Sequence, residues 1–181
     1  PEDQIKDTYV LEFLGLKNEY SESDLEDAII KHLENFLLEL GLGFAFIARQ
    51  KVFVIDGEHF RIDLLFFHRI LRCLVLIEIK IDEFDPSYAG KMNFYLNCAK
   101  KEVKLPGEND PVGIILCPQK NKIHVEYALG GLSNKIFISQ YRLKLPKSED
   151  LQREFKRGYD RYLQSRETDL EINRDANFQR G

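Results

Sequence analysis

The sequence predicts an α/β domain in which helices flank a mixed β-sheet. The first observation is the order of apolar patterns: a helix, three strands of antiparallel type, a buried strand, a helix, a strand and a helix. The second is the length of 181 residues, of which 44% are hydrophobic and 31% charged. These values fit one compact domain with its own core and exclude a disordered chain.

The chain is divided into three parts. Residues 1–20 contain a small apolar cluster at positions 9–16 and are expected to be a short lead-in packed on the domain, or a linker from a missing upstream region, since the chain opens at Pro1 without Met. Residues 21–166 are the predicted domain, and residues 167–181 a polar tail that frays.

The first predicted helix begins within residues 21–24, where Ser21, Glu22, Ser23 and Asp24 have the residue types of a helix start, and it is stopped by Gly41 and Gly43. Its apolar residues recur at helical spacing, namely Leu25, Ala28, Ile29, Leu33, Phe36, Leu37 and Leu40. The pattern predicts one amphipathic helix of about four turns.

Strands follow the helix. Residues 44–49 and 52–55 are rich in β-branched and aromatic side chains, and Asp56-Gly57 is typical of a tight hairpin turn. In the next strand, residues 59–67, alternation places Phe60, Ile62, Leu64 and Phe66 on one face.

Residues 73–80 predict a strand buried on both faces. Asp85 and Pro86 have the residue types of a helix start, and that helix reaches about Lys101. A strand at 112–117, a short helix at 123–129, a strand at 136–145 and a helix from Ser148 to about Arg166 complete the prediction.

Charge and cysteine content exclude few functions. The net charge of -4 hides an asymmetry, because residues 1–40 carry 11 acids and 3 bases whereas residues 41–181 carry 19 acids and 23 bases. Three cysteines without a C-x-x-C pair fit neither a disulfide framework nor a zinc site. No apolar run approaches the ~20 residues that cross a bilayer, so a soluble, cytoplasmic protein without a membrane partner is expected.

Three polar residues in buried strands carry the functional prediction. Alternation places Glu78 and Lys80 on one face at the end of their strand, and Asp63 lies mid-strand in the preceding, neighbouring strand. Two carboxylates with an amine beside them suit Mg²⁺ or Mn²⁺. The alternatives are an intrastrand salt bridge between Glu78 and Lys80, and an Asp63 that pairs with Arg61 or caps the sheet edge.

Asp63, fourteen intervening residues and then Glu78-Ile79-Lys80 resemble the D-(E/D)-x-K motif of PDDEXK nucleases. Four longer segments are similar to the C-terminal nuclease domain of YhcG-type proteins: residues 6–14, 36–41, 62–68 and 88–95. The resemblance covers about residues 5–146. It implies a restriction-endonuclease-like (PDDEXK) core and Mg²⁺-dependent (or Mn²⁺-dependent) hydrolysis of DNA, usually preceded by an N-terminal region that is absent here.

The resemblance also implies roles for residues. Asp63, Glu78 and the backbone carbonyl of Ile79 would bind the metal, and Lys80 would position or deprotonate the attacking water or balance charge at the phosphate. Glu26 is the candidate for the acid that such nucleases often contribute from the first helix. Its alternative role is structural, because Ser23-x-x-Glu26 is also a capping-box pattern.

Four further residues are expected to contact substrate. Arg49 and Gln50 are candidates for DNA backbone contacts, and Lys91 and Tyr95 face the site from the second helix. The family commonly has Gln at the position of Lys91, and lysine cannot accept a hydrogen bond. Tyr95 is equally consistent with a half-buried core residue.

Two other functions stay open on the sequence. The fold could serve as a catalytically inactive DNA-binding or assembly module, since a fold does not guarantee an activity. It could also be a structural or dimerisation domain, because several segments are rich in aromatic residues. If it is an enzyme, a homodimer is plausible because cutting both strands of a duplex usually needs two sites.

Overall fold

The structure is a computed structural model and describes residues 1–17, 19–144 and 156. The chain divides into two compact units, Pro1–Lys144 and Leu145–Gly181. The helix predicted from Ser148 to about Arg166 and the tail at 167–181 lie outside the described residues, apart from a helical, exposed Lys156. The fold below is that of the first unit.

Six strands form one mixed sheet. They are β1 (Thr8–Val10), β2 (Phe44–Ile55), β3 (Glu58–His68), β4 (Cys73–Ile79), β5 (Val112–Cys117) and β6 (Lys135–Arg142). Their order across the sheet is β1-β6-β5-β4-β3-β2. The neighbours from β1 to β4 are parallel, and β3 and β2 continue the sheet in antiparallel pairing.

Four helices cover the two faces of this sheet. They are α1 (Glu22–Lys31), α2 (Leu33–Leu40), α3 (Pro86–Glu102) and α4 (Lys122–Leu129). The side chains of α1 and α2 pack with one face, and those of α3 and α4 pack with the other. This confirms the predicted mixed sheet flanked by helices. None of the helices among the described residues has the length and apolar character to cross a membrane.

The predicted alternation of β4 is confirmed. Val75 and Ile77 belong to the core under α1 and α2, while Leu74 and Leu76 belong to the core under α3. Every residue of the strand is buried. Because both faces of β4 are covered, a charged side chain at its end is held in a nearly dry environment.

The prediction of a single helix from Ser21 to Leu40 is wrong, because the structure has two helices in this segment. His32 leaves the helical region with φ −113° and ψ 36°, and α2 starts at the next residue. No glycine or proline marks this position, and apolar residues continue at helical spacing across the break. The sequence pattern therefore did not indicate where the first helix ends. Both helices still send apolar residues into the same core.

The strict alternation predicted for β3 also fails near Asp63. Leu64 and Phe66 share one face and pack with α1 and α2, but Ile62 packs with the opposite core, together with Leu65. In β2, opposite Asp63, Gln50 has a positive φ of 51°. A residue in the left-handed region disturbs local strand geometry, and the change of face follows at this point.

The predicted hairpin turn and the predicted start of α3 are both confirmed. Asp56 and Gly57 both have positive φ, as the hairpin requires. Asp85 caps α3 by accepting a hydrogen bond from the Ser87 N–H at 2.8 Å, with Pro86 in the first turn.

Strand β1 was not predicted. This strand has three residues, too few for a periodic pattern, and it lies at the sheet edge beside β6. Its Tyr9 is completely buried. Part of the segment interpreted as a lead-in therefore completes the sheet.

Candidate active site

Asp63 lies where β3 stops pairing with β4. Its Oδ2 accepts a hydrogen bond of 2.8 Å from the Ile79 N–H, and its Oδ1 accepts a longer one of 3.4 Å from Gln50 Nε2. Asp63 thus binds to the backbone next to Glu78 instead of pairing with Arg61. The structure brings the two predicted carboxylate residues to the same end of β4.

Glu78 is 3% exposed, near the C-terminal end of β4. Its Oε2 lies 3.2 Å from Lys91 Nζ and 3.5 Å from Lys80 Nζ. Its Oε1 is buried and has no hydrogen-bond partner among the described residues. A buried oxygen left unpaired costs about 1 to 3 kcal/mol, and a bound ion or water is one explanation for such a group.

Lys80 follows β4 directly and is 9% exposed. Its ammonium lies 3.5 Å from Glu78 Oε2 and 3.4 Å from both carboxylate oxygens of Glu22, and it sits over the Tyr88 ring at 5.4 Å. Its backbone carbonyl accepts a hydrogen bond from the Tyr141 hydroxyl at 3.1 Å. The intrastrand salt bridge considered from the sequence exists, but it is one contact of a larger group.

Glu26 does not cap its helix. The cap of α1 is Ser21, whose hydroxyl accepts from the Asp24 N–H at 3.1 Å while Asp24 accepts from the Ser21 N–H at 2.8 Å. Glu26, which is 6% exposed, instead accepts hydrogen bonds from Arg49 and Gln50. Since Gln50 also donates to Asp63, it connects Glu26 to the Asp63 carboxylate.

Arg49 is engaged by two acids of α1. Its guanidinium pairs with Glu26 and also with the exposed Asp27. The structure therefore places Arg49 at the rim of the site, with its charge partly balanced by the protein itself.

Lys91 and Tyr95 face the site from α3. The Lys91 ammonium contacts Glu78 and lies 5.3 Å from the centre of the Tyr95 ring. Tyr95 is 4% exposed and also stacks against Phe53. Tyr95 is thus both a core residue and a neighbour of the site, and the two readings of the sequence are compatible.

The surroundings disfavour negative charge on both central carboxyls. Burial raises the pKa of Asp63, against the opposing effects of the Ile79 N–H and the Lys80 ammonium. Burial and then the negative charge of Asp63 raise the pKa of Glu78, against the opposing charges of Lys91 and Lys80. For Lys91, burial acts to lower the pKa, but the attraction of Glu78 raises it above its ordinary value.

Sequence reasoning missed two acids at this site, Glu22 and Asp27. Both lie on α1: Glu22 is one turn before Glu26, and Asp27 directly follows Glu26. Glu22 contacts Lys80, and Asp27 contacts Arg49. The signal of Glu22 in the sequence was weak because acids are common in the first turn of any helix. Asp27 lies beyond the first turn and belongs to no motif.

The donor set fits a hard divalent cation. Asp63 and Glu78 supply carboxylate oxygens, and one of these, Glu78 Oε1, is buried without a partner among the described residues. That part of the chain contains no group of three or more His, Cys, Asp and Glu side chains arranged to hold a metal. Mg²⁺ commonly takes only one or two protein carboxylates and completes its shell with water and phosphate, so two carboxylates are enough.

The fold is of the restriction-endonuclease-like PDDEXK class. The family model described as "YhcG PDDEXK nuclease domain" matches residues 2–156. The chain therefore belongs to the YhcG PDDEXK nuclease domain family, as the motif and the longer segments predicted.

One curated relative is "Putative nuclease YhcG" of Escherichia coli (strain K12), which is 52% identical over 151 residues. The match covers 83% of this chain and 40% of the relative, so the chain spans less than half the length of that protein.

Two solved structures are more distantly similar. A repair endonuclease from Pyrococcus abyssi has a TM-score of 0.47 at 18% identity, with 69% of this chain and 49% of that chain covered. An EndoMS-dsDNA2 complex has a TM-score of 0.47 at 15% identity, with 69% and 48% covered.

Proposed function

We propose that this domain is a divalent-metal-dependent endonuclease that hydrolyses DNA phosphodiester bonds. The observation that carries the proposal is the buried Glu78 Oε1, which has no partner among the described residues and stands beside Asp63 and Lys80 in a nuclease-family fold. Such a carboxylate is costly for folding alone and useful for holding a cation.

Asp63 and Glu78 would hold Mg²⁺ or Mn²⁺, with the Ile79 carbonyl as the further ligand expected from the family. The ion would offset the charge of the phosphate and lower the pKa of a bound water. Lys80 is fixed by Glu22, Glu78 and the Tyr88 ring. Its ammonium would orient the attacking water or balance charge on the phosphate, and its restricted side chain favours one geometry.

Glu26 would act by positioning. It holds Gln50, which donates to Asp63, so the carboxylate of Asp63 keeps its direction. Arg49 and Gln50 lie at the rim of the site, where phosphates of DNA would pass, and Lys91 and Tyr95 lie on its α3 side. The acid excess belongs to residues 1–40. Three of these acids, Glu22, Glu26 and Asp27, lie at the site, where Lys80 and Arg49 pair with them.

Three features of the whole protein are predicted. A region N-terminal to this domain, as expected from the family, would accompany it in the whole protein, and the match covers only 40% of the curated relative. A homodimer would allow both strands of a duplex to be cut, and a cytoplasmic location suits a DNA substrate. These three statements remain predictions.

A plasmid-nicking assay tests the activity. Supercoiled plasmid is incubated with Mg²⁺ or Mn²⁺ and with the unmodified protein or one of two variants, Asp63→Asn and Glu78→Gln. We expect each substitution to reduce the nicking rate at least ~100-fold. Glu58→Gln, a matched change at an exposed residue of β3, should nick at the original rate. Unchanged nicking by Asp63→Asn, or nicking in excess chelator, would contradict the proposal.

A second candidate function is a DNA-binding module that has lost catalysis. It is favoured by Lys91, whose ammonium forms an ion pair with Glu78. The family commonly has the uncharged Gln at this position. The same assay separates the two functions, because this candidate predicts a gel shift with plasmid or linear DNA and no cleavage with either metal.

A further inference from the structure

We propose that Lys91 is a displaceable cation: in the metal-free protein its ammonium neutralises Glu78, and it leaves Glu78 when a divalent ion binds. This inference rests on the proposed function and extends it to the control of metal binding. The family commonly has Gln at this position, and Gln carries no charge. The proposal therefore concerns a residue that distinguishes this chain from the common family pattern.

The two lysines at Glu78 are not equivalent. Lys80 has an 11% exposed side chain, and its ammonium is also held by Glu22 and by the Tyr88 ring. The Lys91 side chain is 49% exposed, although its ammonium is the nearer of the two, at 3.2 Å from Oε2. Lys91 can therefore swing towards solvent from α3, whereas Lys80 is confined by its neighbours.

A bound divalent ion makes the Lys91 contact unfavourable. The ion would sit at the same carboxylate that Lys91 contacts, and two cations within a few ångströms repel strongly in a site of low dielectric. Lys80 would remain, because Glu22 still neutralises it. The released Lys91 ammonium would then face the solvent side of the site, where a DNA phosphate could accept hydrogen bonds from it.

The role of Lys91 has a consequence for metal affinity. Part of the free energy of metal binding is used to break the Lys91–Glu78 contact, so removing the Lys91 charge should strengthen metal binding. A charge-assisted contact of this kind corresponds to about a tenfold change in the dissociation constant.

Calorimetric titration with Mn²⁺ in the absence of DNA tests this consequence. We expect Lys91→Gln to bind Mn²⁺ about tenfold more tightly than the unmodified protein. The control is Lys100→Gln, on the same helix, with a 46% exposed side chain that pairs with Asp110 at 2.5 Å. Its affinity should change less than twofold, which separates the local contact from a general loss of positive charge.

Glu78→Gln distinguishes the two proposals. If the protein binds Mn²⁺ and Glu78→Gln abolishes binding, but Lys91→Gln binds with unchanged affinity, the inference about Lys91 is overturned and the metal site stands. If the unmodified protein and Lys91→Gln both fail to bind Mn²⁺, or Glu78→Gln binds it equally well, both proposals are overturned.

Crystal structures with and without Mn²⁺ provide a second readout. We expect the Lys91 Nζ to Glu78 Oε2 distance to increase from 3.2 Å to beyond ion-pair contact when the ion is bound. A Lys91 that stays at its present distance while Mn²⁺ binds Glu78 would overturn the inference even if affinities changed.

Discussion

At the scale of single residues, Asp63 and Glu78 show a conflict between stability and function. Both carboxyls are held in the sheet near lysines, yet burial still raises the pKa of each. A site that disfavours its own negative charges fits the proposed binding of a cation. The cost should be visible as lost stability in the metal-free protein.

Asp63→Asn should make the metal-free protein more stable at pH 7. The folded-state pKa of Asp63 lies above its unfolded value, so ionisation reduces stability as pH rises through and above the unfolded pKa. Below that value, about 3.9, both states are protonated and the two proteins should melt alike. Asparagine keeps an oxygen to accept from the Ile79 N–H.

Thermal melts in chelator at several pH values measure this effect. We expect Tm to rise by a few degrees at pH 7, with the difference shrinking as pH falls towards 4. Asp82→Asn, at an exposed position, should change Tm little at any pH. A lower Tm for Asp63→Asn at pH 7 would show that ionised Asp63 stabilises the fold.

Glu22→Gln should weaken catalysis without abolishing it. Glu22 contacts Lys80 through both carboxylate oxygens at 3.4 Å, and the amide would keep one acceptor but lose the charge. We expect the nicking rate to fall roughly three- to tenfold, in line with the loss of one positioning contact. Glu34→Gln, in the first turn of α2 and exposed, is the matched control. Full activity of Glu22→Gln would show that the contact between Glu22 and Lys80 does not support catalysis.

At the scale of elements, α1 brings three acids to the site, and its start decides where they point. Glu22 contacts Lys80. Glu26 contacts both Arg49 and Gln50, and Asp27 contacts Arg49. The helix starts at the Ser21 cap, two residues before the Ser23 pattern that the sequence also offered. This start leaves Glu26 free to bind Gln50 and Arg49.

Ser21→Ala should therefore destabilise the protein by about 1 kcal/mol, the usual cost of losing an N-cap. Ser23→Ala, on the same turn but exposed and without a capping role, should cost less than about 0.5 kcal/mol. Urea unfolding of the two variants measures the difference. Equal destabilisation, or a larger effect at Ser23, would contradict the cap seen here.

At the scale of the whole molecule, the N-terminal strand belongs to the same core as the site strands. Tyr9 in β1 is 0% exposed and packs in one cluster with Ile77 and Ile79 of β4. β1 also covers the edge of β6, which would otherwise be open. Loss of this segment should therefore affect the entire domain.

Tyr9→Ala should reduce the free energy of unfolding by about 3 to 5 kcal/mol, the range for deleting a large aromatic side chain from a core. Tyr127→Ala provides the control, because Tyr127 is 83% exposed. Equilibrium urea unfolding followed by circular dichroism measures both. A change below about 1 kcal/mol for Tyr9→Ala would mean that β1 contributes little to the core.

The family, the class of fold and the motif residues could all be predicted from the residue pattern alone. Asp63, Glu78 and Lys80 could be identified because strand alternation and a spaced motif are local properties of the chain. The start of α3 and the Asp56-Gly57 turn were also predictable, because capping and turn chemistry depend on neighbouring residues.

The tertiary structure decided which residues meet. The choice between capping and site contact for Glu26, the pairing of Glu22 with Lys80, and the two lysines on Glu78 all join distant parts of the chain. The break at His32 interrupts an apolar pattern that continues at helical spacing, and β1 is too short for a periodic pattern, so neither feature could be predicted from the local sequence. Long-range contacts are decided by the whole core, so local residue patterns could predict the chemistry of the site but not its complete set of members.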